Sequence, residues 1–265
     1  SPIYSVCSIE CEVNNMLHKS TDDNDVSVCA NCGKEGANNT CNKCKKVKYC
    51  NAICKKVHKK KHKKDCEEHQ RRAAKLHDEE LFKQPPSQYG DCPICFLRIP
   101  SLQTGRRNQT CCGKVICCGC IHAVRLRTEK HSLCAFCRTP NANSIGDNVK
   151  RMNRRIDQGD AIALYNIAGC YYRGDKEFKQ DVTKALELYH RAAELGNAKS
   201  YYSIGVAYDF GNGVEQDEKK ATHYFELGAM GGRAYARHSL GCNEGNAGNI
   251  DRALKHHMIA VGCGH

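Results

Sequence analysis

Eighteen of the chain's 21 cysteines lie between Cys7 and Cys137, and only Cys170, Cys242 and Cys263 follow. This crowding limits the fold more than any other feature. An odd count cannot pair completely within one chain. Disulfide scaffolds are mostly short and secreted, whereas 265 residues are ample for ordinary cores in two or three domains. No N-terminal run has the apolar stretch of a signal peptide, and nothing approaches the roughly 20 apolar residues of a membrane span. The expectation is a reducing, intracellular setting, cytoplasmic or nuclear, with cysteine used to hold metal and no membrane partner.

The first cluster runs Cys29-x2-Cys32-x8-Cys41-x2-Cys44-x5-Cys50-x3-Cys54-x7-His62-x3-Cys66. A C-x2-C turn aims two thiolates at one centre. Cys50 and Cys54 are four apart, as are His62 and Cys66, so on a helix each pair shares a face. Four two-donor arms give two closed four-coordinate zinc sites, which leave no position for substrate and are structural. The segment resembles the MYND zinc finger over residues 29–66. The resemblance implies interleaving: Cys29, Cys32, Cys50 and Cys54 hold one zinc, and Cys41, Cys44, His62 and Cys66 the other. The family commonly binds short proline-containing peptides, but Lys55 and Lys59 replace its usual Gln and Trp here.

The second cluster runs Cys92-x2-Cys95-x15-Cys111-Cys112-x4-Cys117-x2-Cys120-x13-Cys134-x2-Cys137. It again offers eight thiolates, enough for two zincs. Cys-Pro-Ile-Cys at its start and Cys-Ala-Phe-Cys-Arg at its end resemble a RING finger. The resemblance implies a cross-brace in which Cys92, Cys95, Cys117 and Cys120 form one site and Cys111, Cys112, Cys134 and Cys137 the other. Lys114 occupies the usual histidine slot, and a protonated lysine cannot ligate zinc. In the all-cysteine variant Cys111 and Cys112 supply both ligands, through a tight turn that Gly113 permits; Cys118 or His122 stands in reserve. RING fingers mostly act as ubiquitin ligases by positioning a charged conjugating enzyme. By resemblance Ile94 sits in that enzyme's groove, and Arg138 hydrogen-bonds both ubiquitin and the enzyme. Ala135 replaces a usual proline, and the aromatic often found on the central helix, about Ile121–Leu126, is absent.

From Gly159 onward the chain repeats. Gly-x-Ala recurs at Gly159, Gly196 and Gly232, with Gly264 opening a truncated fourth copy. Tyr165, Ile167, Tyr171 and Gly174 align with Tyr202, Ile204, Tyr208 and Gly211. Asp181, Asp217 and Asn249 are placed to cap each second helix. A period near 36 with two helices per unit marks an α-solenoid, and these units resemble Sel-one-like repeats, whose concave face binds protein. The histidines His190, His223, His238, His256 and His257 read as solvated or packed, without ligand-like companions.

The expected fold class is thus small zinc-stabilised α+β modules followed by an all-α solenoid of helix-turn-helix repeats. The expected divisions are a loosely ordered segment 1–28, the MYND-type finger 29–66, a spacer helix and linker 67–90, the RING-type finger 91–140, a connecting helix 141–158 and repeats over 159–265. The combined order resembles a multidomain family of algal and other protist genomes. The leading expectation is a RING-type ubiquitin-protein ligase with four Zn²⁺ per chain, whose repeats and MYND finger recruit protein substrates. A non-catalytic zinc-binding adaptor is the alternative.

A nucleic-acid-associated regulator using the Lys59–Lys64 run is the weaker reading. The formal charge of +12 counts thiols as neutral. Ionising the fifteen cysteine ligands and adding four Zn²⁺ changes it by −7, to about +5. That weakens the charge argument for a nucleic-acid partner, as does the scarcity of aromatic stacking platforms in the front half.

Overall fold

The computed structural model describes residues 27–85, 89–99, 105–127, 133–175 and 178–262. The N-terminal segment up to residue 26, part of the linker, and Gly264 lie outside them. The described residues fall into two compact units, 27–81 and 82–262. They form a small cysteine-rich N-terminal module and, toward the C-terminus, an all-helical repeat solenoid. Among them, no helix is long and apolar enough to cross a membrane.

The first unit pairs β1 (Asn39–Thr40) with β2 (Lys48–Tyr49) as an antiparallel hairpin, followed by the 30-residue helix α1 (Ala52–Leu81). Asn51 caps that helix by accepting from the Cys54 N–H at 2.8 Å. The sequence reading places a spacer helix within 67–90, apart from the ligand helix; in the structure they are one. Neither Gly nor Pro interrupts Ala52–Leu81, and Lys, Arg, Glu and Ala are strong helix formers. Among the described residues, the apolar cluster beneath the hairpin buries Cys29, Ala37 and Tyr49.

The second unit begins with the antiparallel hairpin of β3 (Arg106–Asn108) and β4 (Val115–Cys117), leading into α2 (Cys118–Arg127). Its core gathers Cys92, Ile99, Ile116, Ile121 and Ala135. Helix α3 (Ile145–Asp157), capped by Ser144, joins this module to the repeats. Three helix pairs follow: α4 (Ala161–Arg173) with α5 (Val182–Glu194), α6 (Ala198–Phe210) with α7 (Glu218–Met230), and α8 (Ala234–Asn246) with α9 (Ile250–Gly262).

The first two pairs share their end signals. Asp160 and Asn197 cap the first helices, and Asp181 and Asp217 the second. Gly174 and Gly211 end the first helices in the left-handed conformation that glycine adopts without strain. The third pair departs from this pattern. Arg233 stands at its first cap position and makes no side-chain cap bond. The Asn249 amide donates to Glu244 at 2.8 Å.

Candidate metal centres

Four of the five C-x2-C segments form the same turn. The carbonyls of Cys29, Cys41, Cys92 and Cys134 accept from the N–H four residues on, at Gly33, Lys45, Phe96 and Arg138, at 2.9 to 3.1 Å. Each of those residues has a positive φ, between 57° and 74°. The turn curls the chain so that both sulfurs face one point. Cys117-x2-Cys120 differs: it sits where β4 runs into α2, and the Cys120 N–H points to the Cys117 sulfur at 3.4 Å.

Four quartets result, each with its donor atoms within 4.8 Å of one another. Cys29, Cys32, Cys50 and Cys54 come together, as do Cys41, Cys44, His62 and Cys66. In the second unit Cys92, Cys95, Cys117 and Cys120 meet, and so do Cys111, Cys112, Cys134 and Cys137. Sulfur separations include 3.6 Å for Cys32–Cys50, 3.8 Å for Cys41–Cys66, 3.8 Å for Cys95–Cys117 and 3.9 Å for Cys112–Cys134. Zinc held by thiolates at about 2.3 Å sets tetrahedron edges of about 3.8 Å, so the donor sets fit that ion. A disulfide needs about 2.05 Å, and the described cysteines are free.

Cys111 and Cys112 ride the tip between β3 and β4, where the Gly113 N–H donates to the Gln109 carbonyl at 2.8 Å. Gly113 has φ +72°, and a Cβ there would lie 2.6 Å from an Arg155 nitrogen. Cys118 and His122 are not part of the quartet.

Proton affinities show what these clusters demand. Burial opposes ionisation of Cys29, Cys41 and Cys92, yet backbone N–H groups at their sulfurs bring each down to about 6. Burial opposes Cys137 too, but the Thr139 hydroxyl and backbone also bring it to about 6. Their neighbours move the other way. The Cys54 thiol, then burial, pushes Cys50 up to about 12, and burial pushes Cys66 up to about 11. Burial also raises Cys111 and Cys120, with neighbouring thiols adding to it. One thiolate per quartet is readily made; a divalent cation would let Cys50, Cys66, Cys111 and Cys120 ionise beside it.

Residues 29–66 match the family model of the MYND finger, and residues 161–197 and 198–232 each match that of the Sel1 repeat. The chain carries a MYND finger and Sel1 repeats. Human protein sel-1 homolog 2 is 31% identical over 88 residues, which are 33% of this chain and 13% of the relative. E3 ubiquitin-protein ligase DA2 of Arabidopsis thaliana is 42% identical over 52 residues, 19% of this chain and 12% of the relative. The chain thus spans only a small part of these curated relatives. A solved Sel1 repeat protein from Oxalobacter formigenes shares 29% identity at a TM-score of 0.43, covering 47% of this chain and 52% of that one.

In the MYND finger Lys55 has a structural role. Its ammonium donates to the Thr40 carbonyl at 2.7 Å and to Asn42 at 2.8 Å, tying α1 to the hairpin. A groove of about 660 Å³ opens between them, lined by Lys43, Lys56, Lys59, Lys60 and Lys63 around the second quartet of the finger. Behind His62, His58 stacks at 5.9 Å and meets the Tyr49 hydroxyl at 3.3 Å.

Ile94 is half-buried against the core of the second module, while Arg138 is exposed. Phe96, Leu97, Leu126 and Phe136 are exposed on the same module. The third Sel1-like pair, Ala234–Gly262, lies beyond the matched residues, and it corrects the sequence reading of the histidines. His238 and His257 do have ligand-type companions: with Cys242 they form a further cluster.

Sequence reasoning also missed Arg155. Its buried guanidinium pairs with Asp160 at 2.6 Å and donates to the carbonyls of Gln109 and Thr110 at 3.4 Å each. It fastens the loop bearing Cys111 and Cys112 to the first cap of the solenoid. Nearby, a cavity of about 410 Å³ is lined by Tyr89, Arg106 and Lys199. Burial, with Arg233 and Arg106 close by, pulls the Lys199 ammonium down to about 8.

Proposed function

We propose that the protein is a zinc-stabilised RING-type ubiquitin ligase, with the second cysteine module as the recruiting element and the MYND finger and Sel1 repeats as substrate-binding surfaces. The observation that carries this reading is the interleaving of the two quartets over residues 92–137, with the arms of each site separated in sequence by an arm of the other. That is the cross-brace plan of a RING finger; the MYND finger interleaves too, and the Cys-Pro-Ile-Cys and Cys-Ala-Phe-Cys-Arg ends make the distinction. The similarity to the plant ligase DA2 over 52 residues adds support.

Each quartet binds one zinc, four per chain. The ion's contribution is structural: it fixes the loops, and closed four-donor sites offer no position for substrate. The work of the module is positioning. Ile94 and the exposed Phe96, Leu97 and Phe136 give a conjugating enzyme an apolar landing area, and Arg138 supplies hydrogen bonds at its edge. The apolar lining of the MYND groove suits a hydrophobic segment, and the lysines around it favour one that also carries acidic residues.

The test is autoubiquitination by zinc-loaded full-length protein with a panel of conjugating enzymes. Ubiquitin chains that fall at least tenfold with Ile94→Ala are expected. Equal inactivity of wild type and variant across the panel would overturn the ligase reading. The protein would then be a zinc-binding adaptor, a reading that the absence of the usual proline at Ala135 favours.

A further inference from the structure

The first two Sel1 repeats share an internal aromatic pair. Tyr165 on α4 packs on Tyr189 of α5 with ring centroids 5.6 Å apart, and Tyr202 on α6 packs on Phe225 of α7 at 5.8 Å. These are equivalent positions in the two repeats. The equivalents in the third pair are His238 on α8 and His257 on α9, with ring centroids 5.2 Å apart. The neighbouring position, Gly169 in the first repeat and Val206 in the second, is Cys242 in the third. The third pair therefore keeps the packing and changes its chemistry. Three positions without a metal-binding side chain in repeats one and two all carry one here.

The geometry suits a shared ion. His238 and Cys242 are four apart on one helix face, with the Cys242 sulfur 3.6 Å from His238 Nε2. This is the same His-x3-Cys arm that the MYND finger presents at His62 and Cys66. His257 closes the set from the facing helix, and all three donor atoms lie within 4.8 Å of one another. Gly241 makes the approach possible, since a Cβ there would stand 2.7 Å from the His257 ring. Tetrahedral zinc requires donor separations of about 3.4 to 3.8 Å. His238 and Cys242 are exposed, so side-chain torsions can supply the remaining closure.

We infer that the third repeat is a separate zinc site, made by His238, Cys242 and His257, with its fourth position open to solvent. One thiolate and two imidazoles are a borderline-soft donor set that suits Zn²⁺ rather than Mg²⁺ or Ca²⁺. Unlike the four closed quartets, this site has room for water or for a donor from a bound partner.

The experiment compares zinc content of the full-length protein, saturated with Zn²⁺ and freed of excess, against a variant carrying His238→Tyr, Cys242→Val and His257→Phe. These are the second repeat's own residues, so the pair still packs. Wild type is expected to hold one zinc more per chain than the variant, whatever the fingers contribute to both. Cys242→Ser, which removes only the thiolate, is expected to weaken that one zinc at least tenfold and guards against misfolding of the triple variant. Equal zinc content in wild type and the triple variant, with equal helix content by circular dichroism, would overturn the site, as would a zinc affinity unchanged by Cys242→Ser.

Discussion

The MYND finger buries Cys29, Ala37 and Tyr49, whereas the first two repeats bury Ala168, Leu186, Tyr189, Tyr201, Ile204 and Leu227 in one continuous cluster with further tyrosines packed on it. The finger has almost no apolar interior, and the solenoid has an ordinary one. The same chain thus holds one part by donor atoms at fixed spacing and the other by burial at fixed period. The difference is one of information as well as energy. A finger is specified by a handful of cysteines, and its remaining residues are free to be lysine. A repeat is specified by many weak positions, of which any one can change.

The sharpest way to test that contrast is to remove metal. A strong chelator is expected to abolish hydrogen-exchange protection in residues 27–66, 89–99 and 105–127 while leaving the helices of 161–262 protected. Structural zinc contributes about 10–16 kcal/mol per site in small finger peptides, more than these cores can replace. Protection lost equally throughout would break the comparison.

A smaller effect probes the joint. Arg155→Ala leaves the Asp160 carboxylate without its partner and frees the loop bearing Cys111 and Cys112. A loss of about 3 kcal/mol in chemical denaturation is expected, the low end for a broken buried pair because Asp160 keeps its cap bonds. Stability equal to wild type would mean that the second cysteine module and the solenoid are independent.

The smallest effect belongs to a lysine of the solenoid that faces the second cysteine module. Lys199 sits near 8 when folded, below its ordinary 10.5. The folded state then gives up a proton that the unfolded state keeps, so stability rises with pH between those two values and is flat below them. Thermal melts of wild type and Lys199→Met between about pH 7 and about pH 10 are expected to differ by that rise, with wild type gaining on the variant as pH increases. Parallel profiles would refute it.

What the sequence disclosed follows the same division. The donors of the fingers are legible because a two-residue gap or a four-residue helical step is local information. Their grouping into quartets is not, because nothing in linear spacing distinguishes adjacent from interleaved pairing; family resemblance was needed to expect it. The repeats are legible through Tyr202, Ile204 and Gly211 recurring behind Tyr165, Ile167 and Gly174. The His238–Cys242–His257 cluster escaped because His257 comes from another helix, although His238-x3-Cys242 already matched the finger's own arm. Arg155 was hidden for a related reason, since its partners lie up to 46 residues away. The unbroken α1 was missed by giving separate roles to residues that no Gly or Pro separates.

The knuckle turns carry one more consequence. In the Cys92-x2-Cys95 and Cys134-x2-Cys137 turns, the residues that take the left-handed conformation are Phe96 and Arg138 rather than glycine. A non-glycine residue in that conformation costs about 1 kcal/mol. Glycine at either position would relax the turn while deleting an exposed side chain. Phe96→Gly and Arg138→Gly are therefore probes in which lost recognition and lost stability have opposite signs. If either variant melts higher yet recruits a conjugating enzyme less well, the side chain itself is the point of contact, and damage to the fold is not an available explanation.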